Sequence, residues 1–346
     1  MRILIIIGAG ASFDCWPKHI SQAVGTNLQK IPLARDLFSP QLVQDKFLKQ
    51  YDLMGLASKL RRISESVEDF DIELELDNLF KIATDRKDLN KLQELFKTRF
   101  YLHNTITSLT RTTLKHTRSH HVYIDLLDRL KDWIDESSED RFVDIVSFNY
   151  DNLIEDALKN VYGYDWSIKN KNNPLEAYYS GKNMKIFKPH GSINWGKEIV
   201  RTNPGTLFED FNKINVTGGY RLIDPENLMM SIQNNYIPAI AVPLREKEHF
   251  EECPLLMLNA MKEAIPKANK IITLGWKGAD QHFTNLLKSS KQTIQSIHVV
   301  SPKADTHLDD IFPREKIQKV ESTFSRFVND PRALESLLDT FSLQII

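Results

Sequence analysis

The apolar run Ile3-Leu4-Ile5-Ile6-Ile7 passes without a break into Gly8-Ala9-Gly10-Ala11-Ser12. Consecutive β-branched residues suit a strand covered on both faces, the environment of a central parallel strand. Arg2–Ile7 therefore reads as an opening strand, and its glycines as a tight turn at that strand's carboxyl end. Such a strand is consistent with a parallel sheet of the α/β class, and the alternation of strands with helices along the chain implies one. The rest of the pattern agrees. Helical periodicity covers residues 47–63, 74–83, 89–114 and 122–134, interrupted by Pro32, Pro40 and charged turns such as Asp85-Arg86-Lys87-Asp88. Strand signals return at 143–148, 184–188, 237–242, 270–274, 296–301 and 316–320. Helical stretches at 152–160, 254–268, 280–289 and 331–341 separate most of them. The expected fold is a Rossmann-type, doubly wound parallel sheet with a large helical insertion after its first strand. The expected organisation is a nucleotide-binding domain over 1–346, a helical insertion over 40–140 and an irregular insertion over 196–235.

Composition narrows the function classes. The 346 residues carry 45 Lys+Arg against 46 Asp+Glu, a formal net charge of −1, without the basic excess of an unaided nucleic-acid binder. The longest apolar run, residues 3–7, is far short of the ~20 residues a membrane span needs. Met1-Arg2-Ile3-Leu4 leads straight to the glycines with no small-residue cleavage site, so no signal peptide is expected. Two cysteines, Cys15 and Cys253, make neither a disulfide scaffold nor a cysteine-rich zinc module. A cytoplasmic setting follows as the expectation.

Four motifs sit at strand ends, where open α/β sheets bind ligands. The first is Gly8-Ala9-Gly10-Ala11-Ser12. Its glycines either make a tight turn only or let backbone N–H groups approach a diphosphate. Phe13-Asp14 stand where a dinucleotide fingerprint carries its third glycine, which argues against an ordinary dehydrogenase. The second is Ser147-Phe148-Asn149-Tyr150-Asp151. Asn149 or Asp151 could cap the following helix, or the Asn149 carboxamide, both donor and acceptor, could hold a ribose hydroxyl and a water. In Lys188-Pro189-His190-Gly191-Ser192-Ile193-Asn194-Trp195, His190 follows a strand and is a candidate general base. His116, His120 and His121 lack further ligands for a metal and read as a solvated face. The fourth motif is Thr273-Leu274-Gly275-Trp276-Lys277-Gly278-Ala279-Asp280. There Asp280 is a helix N-cap, or the turn is a second backbone cradle for the ribose or adenine of a nucleotide. Ser301, before Pro302, lies on the same rim.

In this order and spacing the four motifs resemble the sirtuin superfamily over nearly the whole sequence. The resemblance implies that Gly8, Ala9, Gly10 and Ser12 hold the diphosphate of NAD+. It implies that Asn149 and Asp151 orient the nicotinamide ribose and an attacking water, with His190 as general base. Gly275 with its neighbours Trp276 and Asp280, together with Ser301, would approach the adenosine half. The chain departs from protein-deacetylating sirtuins in three places. No cysteine occurs in 196–235, where those enzymes carry a four-cysteine zinc ribbon. Ile31-Pro32-Leu33-Ala34-Arg35 is only loosely similar to their Gly-Ile-Pro-Asp-Phe-Arg segment, and Trp276 and Lys277 replace small hydroxyl residues. With its long helical insertion the chain is similar to the bacterial sirtuin-like NAD hydrolases, NAD-depleting effectors of antiviral defence.

The expectation from that resemblance is hydrolysis of the nicotinamide–ribose bond of NAD+, as substrate, with no metal. The competing readings are protein deacylation or ADP-ribosyl transfer, and a non-catalytic module that senses NAD or ADP-ribose. An always-active NAD hydrolase is toxic, and the nucleotide domain should finish about where the chain ends, at Ile346. A separate trigger is therefore expected, by the same resemblance a HerA-like ATPase or another nucleic-acid-sensing protein. Neither direct nucleic-acid binding nor membrane association is expected. A homo-oligomer is, with Phe96, Phe100, Leu109 and Trp133 of the helical insertion as candidate contact residues or, alternatively, core.

Overall fold

The computed structural model describes residues 1–16, 30–39, 45–67, 70–118, 120–137, 140–164, 175–201, 207–244, 252–278, 280–303 and 308–339. Pro40, Ala279, Ile346 and the end of the helix expected over 331–341 lie outside them. Strand β1 (Arg2–Ile7) is fully buried from Ile3 to Ile7, as its β-branched run requires. It pairs in parallel with β2 (Phe142–Ser147) on one side and β7 (Lys270–Leu274) on the other. Beyond β2 lies β3 (Met184–Phe187); beyond β7 lie β8 (Ser296–Ser301) and β9 (Ile317–Glu321). The sheet order is β3-β2-β1-β7-β8-β9, all parallel. The chain thus builds outward from β1 in one direction, then returns to build outward in the other. Strand order reverses between β1 and β7, the position at which open α/β sheets bind ligands in a crevice outside the strand ends. This is the Rossmann-type sheet that the strand–helix alternation predicts.

Register aligns the strand ends. Ile7 stands level with Ser147 and with Leu274, so Gly8, Phe148 and Gly275 leave the sheet at one height. The Phe148 N–H donates to the Ile7 carbonyl at 2.9 Å, and the Gly8 N–H to Leu274 at 3.0 Å.

After β1 comes a short helix, α1 (Ala9–Asp14). Before β2 come α2 (Asp45–Gln50), α3 (Met54–Ser66), α4 (Ile72–Asp85), α5 (Leu89–Thr117) and α6 (Val122–Asp135). The helix expected over 47–63 is two, broken where Asp52 takes the left-handed conformation (φ 55°). Periodicity missed that break because apolar residues on both sides face the same core. Asp71 and Asp88 cap α4 and α5 by accepting N–H bonds from their first turns, the local signal for both starts.

These helices serve two hydrophobic cores. The main core lies on the parallel sheet and takes Tyr123, Leu126, Leu127, Leu130 and Trp133 from α6. It also takes α7 (Leu153–Tyr162), α9 (Leu255–Ala264), α10 (Gln281–Leu287), α11 (Phe324–Asn329) and α12 (Pro331–Asp339). The second core gathers residues of α2 to α4 with Ile193, Ile199, Ile237 and Ile240. Helix α5 spans both, placing Leu95, Phe100 and Ile106 in the second core and Leu109 in the main one. Phe100 and Leu109 are fully buried, Trp133 is buried and Phe96 packs on the second core, so all four are core residues rather than an open apolar surface.

The strand expected over 237–242 does not join the parallel sheet. It forms β6 (Tyr236–Ile240) in a separate antiparallel sheet with β4 (Gly191–Val200) and β5 (Asn215–Leu222), in the order β5-β4-β6. The interval 196–235 thus holds the end of β4, β5 and helix α8 (Leu228–Gln233). Its alternation is weak because β5 is an exposed edge strand. Among the described residues no helix is long and apolar enough to cross a membrane.

Two buried histidines make the fold acid-sensitive. Burial pushes His103 down to about 4, and its Nε2 hydrogen-bonds to the Ile193 carbonyl at 2.7 Å. Burial, aided by nearby Lys270, pushes His298 on β8 down to about 4, and neither of its ring nitrogens has a hydrogen-bond partner. Both take up protons on unfolding at ordinary histidine pKa, so the stability they carry is intact above about pH 6.5 and is lost as pH falls toward 4. His298→Leu removes one of the two unfolding-linked protons. Its melting temperature is expected to fall less steeply than wild type between pH 6.5 and 4, without loss at pH 7, as calorimetry across that range would show.

Candidate active site at the strand-order reversal

The glycines of the first and fourth motifs meet. A Cβ on Gly8 would lie 2.6 Å from the Gly275 carbonyl oxygen, and one on Gly10 would lie 3.0 Å from that oxygen. Gly275 has φ +61°, and a Cβ there would lie 2.5 Å from the Ala11 nitrogen. The Gly10 N–H donates to the Gly275 carbonyl at 3.2 Å, and the Gly275 N–H to Val300 at 3.1 Å. The glycines are required by this backbone-to-backbone approach, which brings the β1 and β7 turns into contact. The N–H groups of Gly8 and Gly10 bond to protein carbonyls, while Ala9 opens α1 beside them. Ser301 ends β8 on the same rim.

Ser12 does not stand alone at the turn. Its hydroxyl, buried on α1, lies 2.7 Å from Asn149 Nδ2 and 3.0 Å from the Tyr123 hydroxyl, which itself lies 3.2 Å from Asn149 Nδ2. Asn149 is 6% exposed, and its Oδ1 is buried with no hydrogen-bond partner. An unpartnered buried acceptor of this kind costs ~1–3 kcal/mol, so its place beside the crevice is informative. Asp151 accepts from the Leu153 N–H at 3.2 Å, capping α7, and also receives the Ser12 hydroxyl. Burial raises the Asp151 carboxyl above its ordinary range; Lys188 and the Ser12 bond pull it back. Asp151, just before the N-cap residue Asn152, accepts from the first N–H of α7, whereas Asn149 makes no bond to that helix start.

His190 lies in the turn between β3 and β4, beyond the end of β3 at Phe187. Its Nε2 is 2.8 Å from Asp280 Oδ2. The other oxygen of Asp280 accepts from the Phe283 N–H at 2.8 Å, capping α10. One carboxylate thus serves both as N-cap and as histidine partner. Trp276 does not face an open cradle. It is buried and stacks on Phe148, with ring planes 9° apart, while Phe148 meets the His190 ring edge-on at 4.9 Å. Phe283 closes the cluster against both Phe148 and Trp276.

A second polar network holds the His190 turn. The fully buried Lys188 ammonium donates to the Asp151 carbonyl (2.6 Å), Glu155 Oε1 (2.8 Å) and the Ser192 hydroxyl (2.7 Å). Tyr178 donates to Glu155 and accepts from the Trp195 ring N–H. Sequence reasoning missed Lys188, Glu155, Tyr178 and Tyr123. A lysine closing an apolar strand is a detectable signal; a tyrosine at a core position of an amphipathic helix is not. Of the other histidines, His116 packs edge-on to Trp16, while His120 and His121 pair with Asp125 and Asp156. No group of three His, Cys, Asp or Glu side chains that could hold a metal occurs among the described residues.

Strands β3, β7, β8 and β9, all but the first residue of β2, the Gly275 turn and the Asn149 and His190 loops fall within the segment matched by one family model, the SIR2-like domain, over residues 143–321; β1 and its glycine turn precede it. The chain belongs to the SIR2-like family. Similar solved structures include a Sir2 in complex with an inhibitor, 2′-O-acetyl-ADP-ribose and a deacetylated peptide (12% identity, 97% of this chain and 94% of that chain, TM-score 0.40). Another is a Sir2 homologue–NAD complex (12% identity, 97% and 90% coverage, TM-score 0.42). No curated protein matches the chain. In this SIR2-like protein the β1–β7 turn contact leaves no room for a side chain at Gly8 or Gly275. Gly275→Ala is expected to lower the unfolding free energy by ~2 kcal/mol or more. Gly55→Ala, on α3 with open space around it, is expected to raise it by ~0.5–1 kcal/mol. Denaturant titration of both variants tests the contrast.

Proposed function

We propose that this SIR2-like protein is an NAD+ glycohydrolase, cleaving the nicotinamide–ribose bond to give nicotinamide and ADP-ribose. The observation that carries the reading is Asn149 Oδ1: a buried acceptor without a protein partner, beside the strand-order reversal and on the same sheet edge as the His190–Asp280 pair. A water or a ribose hydroxyl satisfies such an atom; an apolar group does not. The diphosphate belongs over the Gly8–Ser12 turn, and the adenosine half along Gly275 and Ser301.

In the proposed reaction Asn149 accepts one hydrogen of the attacking water and so fixes the direction of its lone pair. The C1′–N bond breaks as the C1′–O bond forms. Its electron pair returns to the nicotinamide ring, which leaves neutral, and the proton released from water passes to His190. The Asp280 carboxylate orients the imidazole and stabilises the cation formed. The aromatic group Phe148, Trp276 and Phe283 covers one side of His190 and limits access of bulk water to it.

Hydrolysis is favoured over transfer to a protein because the β5-β4-β6 sheet occupies the interval where deacetylating sirtuins carry their zinc ribbon, one wall of an acceptor groove. Its role in antiviral defence, through NAD+ depletion triggered by a HerA-like ATPase or another nucleic-acid sensor, rests on the resemblance to the bacterial sirtuin-like hydrolases, as does a homo-oligomeric state. NAD+ consumption by the purified protein, alone and with its genomic neighbour, tests the activity. Asn149→Ala and His190→Ala are each expected to lower the rate at least ~100-fold. Wild-type rates in both variants sink the assignment. Modified protein or O-acyl-ADP-ribose as product replaces hydrolysis by transfer or deacylation, and NAD+ bound but intact replaces it by sensing.

A further inference from the structure

We propose that Tyr123 is a positioning residue for Asn149, which with Ser12 fixes the carboxamide so that its oxygen, and not its nitrogen, faces the crevice. The proposal rests on the reading of Asn149 given above. It concerns a side chain from the helical segment between β1 and β2, outside every motif.

The argument is one of available protons. The Tyr123 and Ser12 hydroxyls and the Asn149 Nδ2 form a closed triangle, with sides of 3.0, 2.7 and 3.2 Å. Each hydroxyl has one proton to donate. The three sides of the triangle need three protons to be hydrogen bonds at once. With Nδ2 inward, as it stands, the carboxamide supplies two and one hydroxyl supplies the third. With Oδ1 inward only the two hydroxyl protons remain for three sides. One side would then set a buried oxygen against an oxygen with no proton between them. The triangle therefore turns Oδ1 outward, where it is buried and unpartnered.

Two further features fit. Tyr123 is 1% exposed, and burial, its largest influence, holds the phenol well above its ordinary pKa, so it stays a donor. Its ring is packed at 5.1 Å against Phe324, which fixes the hydroxyl without help from the triangle. Helix α6 thereby contributes to the crevice through one atom.

Tyr123→Phe keeps the ring and removes that atom. Two readouts decide the matter. In the protein labelled with ¹⁵N-asparagine, the Asn149 carboxamide pair is identified by its loss in Asn149→Ala. In Tyr123→Phe that pair is expected to shift, and one of its protons to exchange with water about tenfold faster while the proton toward Ser12 stays protected. In turnover, kcat for NAD+ is expected to fall about tenfold with KM changed less than about twofold. Unchanged carboxamide signals overturn the proposal whatever the rate, and so does an unchanged kcat in an enzyme whose wild type is active. If Tyr123→Phe does not fold, Ser12→Ala reads the same triangle from its other hydroxyl and must shift the same pair; unshifted signals there overturn the proposal. If the wild-type protein leaves NAD+ intact, the hydrolase reading fails while the carboxamide spectrum still decides the role of Tyr123.

Discussion

Two turns without side chains touch at the centre of this protein. Gly8 at the end of β1 and Gly275 at the end of β7 approach more closely than a Cβ allows, and Gly10 lies at the edge of that limit. The contact lies where the strand order reverses, the position at which open α/β sheets bind their ligands. Everything carried by the β7–α10 loop takes its position from it. Trp276 follows Gly275 directly and reaches Phe148; Asp280 follows a few residues later and reaches His190. A side chain at Gly8 or Gly275 forces the two turns apart.

The polar groups under the crevice are held by the same economy of space. Buried donors and acceptors left unpaired cost ~1–3 kcal/mol each, so the pairs at the site are close and numerous. Lys188, fully buried, ties the turn that bears His190 to the Asp151 carbonyl and to Glu155 on α7. The Ile193 N–H donates to the Tyr150 carbonyl at 2.9 Å, which fastens β4 to the loop that bears Asn149. Asn149 and His190 are thus mounted on one bonded unit although they come from different strands. Against that background the Asn149 carboxamide oxygen stands out as a buried acceptor without a partner.

The second core explains why so much chain separates β1 from β2. Residues of α2 to α4 do not cover the parallel sheet. They pack with β4 and β6, which arrive much later in the chain, so the two parts complete one hydrophobic body. Helix α5 runs through both cores, and β4 does the same in miniature, with Trp195 in the main core and Ile193 and Ile199 in the second. Helix α6 returns to the sheet and brings Tyr123 beneath Asn149.

The opening strand, the glycine turns and the parallel, doubly wound sheet were legible in the residues alone. A β-branched run reports burial on both faces, a glycine at a strand end reports a tight turn, and strand–helix alternation reports parallel pairing; each is a property of neighbours in the chain. Asn149, Asp151, His190 and Asp280 were legible as candidates for the same reason, since each closes a strand or opens a helix. What each does was not. Asn149 meets Ser12 from 137 positions away, Ser12 meets Tyr123 from 111, and His190 meets Asp280 from 90. Periodicity averages the burial of one element and carries no information on which of two hydroxyls a carboxamide will face. The division of Asp280 between cap and histidine partner, the use of Gly8 and Gly10 against Gly275, and the placing of β6 in a second sheet were decided by tertiary packing. Only when the strand ends stand level do these atoms come within bonding distance.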